Sequence, residues 1–482
     1  MTEFSSVHAI THAKIKWGTP MFIVKPQPKG KLKVINLPYL LLVEPVLLRN
    51  SEGQTIATSS VNLEDIQYIP IEDNSKGEFS HFSILIDEDG DPWELGNLYL
   101  LSLTEYPEKS SDTIRKGAYA LAHFNDVMLG RGLNIFDFPL RKNNRPTYAY
   151  HYYWRDEIKD NENRIGYANT LINWIIDFYR WLSKRGLNPE KEMWKESKKY
   201  IRVKTKRGSH YEKQIIVTDL TFKEIKKPNN KPLKGYDQEQ QKAIVKALKN
   251  IDNTEMILGF YAALTTSARI QTVFTLQKAA LVDFEVSNTP DDWPVMVGFR
   301  GLADTKFKKR FPIYIPGWLA KALVDYISSS RHAHRVSISK MGDTENNYIF
   351  LTKNGNPYYA CEDDPFLSRY EHKPNGNGIR SFIRQTLEPE LKNLGFDFKV
   401  RFHNLRATFA NNLIAKYMAD FNQRKISWSE MLTIVSERLA HSSIDETENY
   451  INELLKFELK AIAQDEFEAY LQNILENNFA ED

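Results

Sequence analysis

RFHNLRATFANNLIAK, residues 401–416, carries a histidine and an arginine three positions apart, His403 and Arg406, on an apparent helix. Residues at that spacing share one helix face, so the two side chains are presented together. The pair alone decides little, because RHAHR sets His332 and Arg335 at the same spacing. In a chain with eleven histidines about one such chance pair is expected. Its sequel carries more. Ser427-x-x-Glu430 in ISWSEMLTIVSERLAH reads as a capping box opening a helix that ends at His441. Tyr450 stands nine residues further on, and no other histidine has a tyrosine at that offset. Upstream, TTSARIQTVFTLQ places Arg269 at the end of an apolar helix. Between them DTKFKKRFPIYIP sets Lys306, Lys308, Lys309 and Arg310 at a strand–turn–strand.

The chain of 482 residues is too long for one ordinary core, and two to four domains are expected. With 42% hydrophobic and 26% charged residues its composition is that of a soluble globular protein. MTEFSSVHAI lacks the basic start and apolar core of a signal peptide. No apolar run approaches the roughly 20 residues of a membrane span, so a cytoplasmic protein without a membrane partner is expected. A single cysteine, Cys361, excludes an internal disulfide framework and a cysteine-based zinc cage. His332-Ala-His334 has no third ligand nearby to complete a metal site.

Along the chain, residues 1–95 read as a strand-rich extension, with VINLPYLLLVEPVLL and FSILIDEDGDPWEL between turn signals. Residues 96–197 read as a helical domain. Its last helix, GYANTLINWIIDFYRWLSKRG, gathers Leu171, Trp174, Ile175, Phe178 and Leu182 on one face before a Lys184-Arg185-Gly186 stop. Net charge is only +2, yet between Lys198 and Lys234 twelve Lys/Arg stand against three carboxylates, a net of +9. With its PNNKP turn signals, 198–235 reads as a basic linker, its Lys204, Lys206 and Arg207 either solvated or a footprint for phosphates. The remainder is mostly helical, interrupted by short strands PVMVGF, FPIYIP and YIFLT. The fold class expected is mainly α with small β-sheets, in several domains.

Arg269, a lysine in a β-turn, His403-Asn-Leu-Arg406, LAHSS and Tyr450 follow in this order and spacing. In that the chain resembles the tyrosine recombinase (phage integrase) family. The resemblance covers about 236–455 as the catalytic domain. The helical 96–197 block is similar to the core-binding domain that precedes it, and 456–482 form a C-terminal amphipathic tail. It implies a site-specific DNA recombinase of a mobile element, joining DNA through a 3′-phosphotyrosyl intermediate. Two guanidiniums, Arg269 and Arg406, suit the anionic phosphate and its transition state. Tyrosine, with an unperturbed pKa of about 10, needs neighbouring positive charge and a proton acceptor. The resemblance makes His403 the base or its positioner, and gives His441 a hydrogen bond to the phosphate. It also calls for a lysine from the turn as general acid: Lys306 by preference, with Lys308 the other register, and Lys308, Lys309 and Arg310 as DNA contacts.

Neither a P-loop nor a compact carboxylate cluster is evident, so no metal, ATP or other cofactor is expected. The partners implied are double-stranded DNA, further copies of the chain in a homotetramer with a dimer per site, and accessory DNA-bending proteins. Two departures stand out: Thr272 occupies a position where an acidic residue is common, and Ala440 replaces the glycine before His441. A type IB topoisomerase would share the chemistry, and a non-catalytic DNA-binding protein could retain the fold.

Overall fold

The β-branched and aromatic runs near the N-terminus form strands β1 (Lys33–Leu41), β2 (Val43–Pro45), β3 (Tyr68–Pro70) and β4 (Glu78–Ile86), with β1 antiparallel to β4 and β2 to β3. The computed structural model describes residues 27–41, 43–45, 68–70, 78–105, 109–186, 188–189, 191–204, 210–223 and 235–440. Four helices follow: α1 (Glu94–Ser102), α2 (Ser111–Gly130), α3 (Pro146–Asp160) and α4 (Ile165–Ser183). A second ribbon, β5 (Glu196–Lys204) with β6 (His210–Thr218), completes a first unit that ends at Lys226.

Two boundaries drawn from sequence change here. Within the 1–95 stretch, the described β1–β4 pair does not stand apart from the helices, because a lone two-stranded hairpin cannot bury its apolar face. Leu40, Phe79, Phe82 and Leu85 of β1 and β4 share one core with Leu100, Ile114, Leu121, Phe124, Ile175 and Phe178 of the helices. Asn97 locks the two parts together, its side chain accepting from Leu85 N (2.7 Å) and donating to Leu85 O (2.8 Å). Nor is the expected 198–235 linker irregular where it is described: 198–204 and 210–218 are paired strands of the β5–β6 ribbon. The lysine density hid a period-two alternation, since a charged residue on an exposed strand face leaves no hydrophobic mark. Asp219 fastens the ribbon's base, accepting from Lys195 N (2.9 Å), Tyr148 Oη (2.8 Å) and Lys142 Nζ (3.1 Å). Beyond it Leu220 is buried and Phe222 stacks on His151 at 4.3 Å.

The second unit, from Lys227, opens with α5 (Gln238–Ile251), capped reciprocally by Asp237 and Gln240. It continues through α6 (Thr254–Thr266), α7 (Ile270–Phe274), strands β7 (Asp292–Val297) and β8 (Phe311–Pro316), α8 (Gly317–Ile327) and α9 (Ser330–Ser337). Then come α10 (Asn377–Phe382), α11 (Glu388–Asn393), α12 (Phe402–Asn422) and α13 (Trp428–Arg438). The capping box at Ser427 and Glu430 is present. YIFLT is not a strand: Tyr348 and Leu351 make only isolated bridges, to Gln277 and Pro357. The core gathers Phe260, Phe274, Leu323, Phe350 and Leu405. Across both units the class is helical with small sheets, four two-stranded antiparallel pairs among the described residues. Among them no helix is long and apolar enough to cross a membrane.

RHAHR lies on α9 and serves the core. Glu255, fully buried, takes Arg331 (2.7 and 2.8 Å), Arg335 (2.9 Å) and the Tyr326 hydroxyl (2.8 Å). Burial pushes its carboxyl up, but Arg331, Tyr326 and Arg335 together hold it below the usual carboxylate value. His332 is buried edge-on against Tyr326 while His334 is exposed, so the two histidines do not face one site. Glu255→Gln leaves two guanidiniums against a neutral amide, and should lower stability by about 3–5 kcal/mol in urea unfolding. His334→Ala, on the exposed side, should change it by less than about 0.5 kcal/mol.

Candidate active site

The apolar helix carrying Arg269 does not run through it. Ser267 adopts a left-handed φ of 59° and closes α6, and Arg269 becomes the extended residue that begins α7. The same turn aims the Ser267 carbonyl at α12. There Arg406, only 5% exposed, donates Nη1 to Ser267 O (3.0 Å) and to Ser267 Oγ (3.4 Å), and Nη2 to Leu439 O. Ser267 caps the C-terminus of α6 and Leu439 that of α13, so the negative ends of two helix dipoles face this guanidinium.

His403 sits one turn before Arg406 and is partly open to solvent. Its backbone is fixed from both sides. Phe402 is buried against Phe260 and Phe274, with ring centroids at 5.2 and 5.8 Å. Tyr236 Oη accepts from Arg401 N at 2.7 Å, and Tyr236 N donates to Thr408 Oγ1 at 2.8 Å. The imidazole is held below its ordinary pKa, first by partial burial and then by the positive charges of Arg269, Arg406 and Lys306. Arg269, Lys306 and Arg406, from three parts of the chain, thus each contribute to lowering the His403 pKa.

The lysine turn joins β7 to β8, and Thr305 Oγ1 bonds across it to Lys309 O at 2.6 Å. Phe307 and Lys308 take left-handed φ values of 64° and 51°. This twist separates the two candidate lysines. Lys306 bears on His403, whereas Lys308 lies 3.7 Å from Glu362. Lys309 donates to Ala440 O at 2.7 Å, and Arg310 is exposed. Of the expected ribbon contacts, Lys204 ends β5, while Lys206 and Arg207 lie outside the described residues.

Three successive carbonyls at the end of α13 are thus held by three separate parts of the chain: Arg438 O by Ser267 Oγ (3.1 Å), Leu439 O by Arg406 and Ala440 O by Lys309. Arg438 itself pairs with Asp292 on β7 at 3.1 Å. His441 and Tyr450 lie outside the described residues; what is described is the clasp on the chain immediately before them.

Sequence reading missed Ser267 and Asp304, neither of which carries a motif. Asp304 accepts from Glu362 N (2.8 Å) and Gln271 Nε2 (3.5 Å), and its own N–H donates to Thr275 Oγ1 (2.8 Å). It so links the lysine turn to α7 and to the 361–364 loop. Asp304, Cys361 and Asp363 bring ligand atoms within 4.8 Å of one another, the one such group among the described residues. Burial raises both the Asp304 carboxyl and the Cys361 thiol, which disfavours the ionised forms a metal needs.

No protein-family profile matches the chain, and no curated protein matches it by sequence. Among the solved structures to which it is similar are two integrases and a recombinase. One is the Tn1549 transposon integrase in complex with circular intermediate DNA: 13% identity, 74% of this chain and 94% of that one, TM-score 0.38. Another is a lambda integrase dimer bound to a core site: 12% identity, 74% and 75% of the two chains, TM-score 0.39. A third is XerA recombinase: 16% identity, 74% and 93% covered, TM-score 0.28.

Ala440, with φ 49°, holds a left-handed position that glycine fills without strain. Ala440→Gly relieves about 1 kcal/mol there and returns about half of it to the freer unfolded chain. A net gain of about 0.5 kcal/mol is expected in the urea midpoint.

Proposed function

We propose that the chain is a tyrosine-type site-specific DNA recombinase, cutting and rejoining duplex DNA through a phosphotyrosyl bond to Tyr450. The observation that carries this reading is the buried Arg406, one turn from His403 on α12 and bonded to Ser267 O and Leu439 O, with the charges of Arg269, Arg406 and Lys306 lowering the His403 pKa. Positive charge acting on an imidazole of lowered pKa suits a dianionic phosphorane-like transition state and a base that must be neutral at neutral pH. Support also comes from the clasp on residues 438–440, which fixes where the chain leaves α13 toward His441 and Tyr450.

In the proposed step Tyr450 Oη attacks the scissile phosphorus and gives its proton to His403. The P–O5′ bond breaks as the 3′-phosphotyrosyl bond forms. The departing 5′-oxygen takes a proton from Lys306, while Arg269, Arg406 and His441 bind the non-bridging oxygens. The phosphotyrosyl bond conserves the phosphodiester, so a 5′-hydroxyl from a second duplex reverses the step without ATP or metal. Exchange of both strand pairs needs four active sites, hence a tetramer with a dimer on each site. Accessory DNA-bending proteins fit the same scheme.

Wild type should form an SDS-resistant covalent adduct on a nicked duplex bearing the ends of its own element, and Tyr450→Phe should form none. Absence of adduct from the wild type on those ends would remove the enzymatic reading. Arg269→Ala and Arg406→Ala should each slow cleavage by at least about a hundredfold. Lys306→Ala should be rescued by a 5′-bridging sulfur, which leaves without a proton, and Lys308→Ala should need no rescue. Because the His403 pKa lies below its ordinary value, the ring is neutral above that value and loses its acceptor role as pH falls. The acid limb of single-turnover cleavage should therefore lie below about pH 6.5.

A further inference from the structure

The β5–β6 ribbon pairs nine residues on each strand, from Glu196↔Thr218 to Lys204↔His210. At about 3.3 Å per residue it is roughly 30 Å long. Its two faces differ. Lys198, Tyr200 and Arg202 of β5 share one face with their partners Ile216, Gln214 and Glu212, and all six are exposed. On the other face Ile201, Ile215 and Val217 are half-buried. A strand face that is solvent-exposed, carries Lys198 and Arg202 against Glu212 as the one carboxylate among the six, and is fixed at its base has the features of a presented surface and not of a core element.

We propose that this exposed face is a base-reading surface that lies in the major groove of duplex DNA, with Arg202 and Gln214 reading base edges. A two-stranded ribbon fits that groove, which is about 12 Å wide. Arginine matches the two acceptors of guanine and glutamine the donor–acceptor pair of adenine. Tyr200 Oη donates to Gln214 Oε1 at 3.3 Å, which orients the amide. Arg202 Nε lies 3.9 Å from Glu212 Oε1, with the two side chains 81% and 64% exposed, a loose pair that a base edge can replace. Lys198, exposed on the same face, adds positive charge for a flanking phosphate. The opposing carboxylate Glu196 is already held by Arg180 (2.7 Å) and Trp194 (3.0 Å). Asp219 and its three donors keep the ribbon's base rigid, so readout requires little ordering on binding.

This rests on the recombinase reading only in taking duplex DNA as the ligand. The test is selection by the full-length chain from a duplex library with a randomised core, for wild type, Arg202→Ala/Gln214→Ala and Lys198→Ala. Wild type should enrich a motif. The double variant should lose a block of about three or four positions from it and bind the wild-type motif about tenfold to a hundredfold more weakly. Its affinity for random duplex should stay within about twofold, and Lys198→Ala should weaken all sequences alike with a shallower salt slope. An unchanged motif in the double variant, or equal weakening on every sequence, overturns the proposal. If that variant also still forms the Tyr450 adduct, the ribbon assignment falls alone. If wild type enriches no duplex and forms no adduct, both readings fall. Unchanged thermal melts show that the exposed substitutions leave the fold intact.

Discussion

The second unit depends on where the Arg406 guanidinium is held. An arginine cannot shed its charge, so burying it to 5% exposure demands directed acceptors. Ser267 O and Leu439 O supply them, and each closes a helix whose dipole leaves negative potential there. Carbonyl dipoles orient a guanidinium without cancelling its charge. One side chain of α12 thereby sets the ends of α6 and α13 against each other. The first end determines where Arg269 begins α7, and the second determines where the chain sets out toward Tyr450.

The backbone around this point is under tension. Eight non-glycine residues among those described have positive φ, and four of them, Ser267, Phe307, Lys308 and Ala440, surround the site. Each conformation costs on the order of 1 kcal/mol or more and persists only where its surroundings over-determine it. Here the surroundings are the bonds that hold the site: Arg406 on Ser267, Thr305 across the lysine turn, and Lys309 on Ala440. At the twist of Phe307 and Lys308, Lys308 lies 3.7 Å from Glu362 and Lys306 lies 4.9 Å from the Phe307 ring centroid.

In the first unit the same interplay of local pattern and burial decides what counts as a domain. The strands at 33–41 and 78–86 were legible from their β-branched and aromatic residues, but their attachment to the helices was not. It depends on Asn97 reaching Leu85, and on apolar faces that meet only after the chain has folded back. The 198–218 ribbon was hidden for the opposite reason. Its composition is that of a solvated segment, and backbone pairing, which leaves no compositional trace, turns it into structure.

From the sequence alone came the helical class with small sheets, the capping box at Ser427, and the ordered set Arg269, His403, Arg406, His441 and Tyr450 as candidates. Those signals are local: periodicity, caps, and spacing along one chain. The different surroundings of Lys306 and Lys308, the helix break at Ser267, the core role of the RHAHR pair and the part of Asp304 emerged only in three dimensions. Each depends on a partner more than 30 residues away in sequence, or on a left-handed turn that no residue type announces. Charge and hydrogen bonding act through space, and the chain records only the groups that take part.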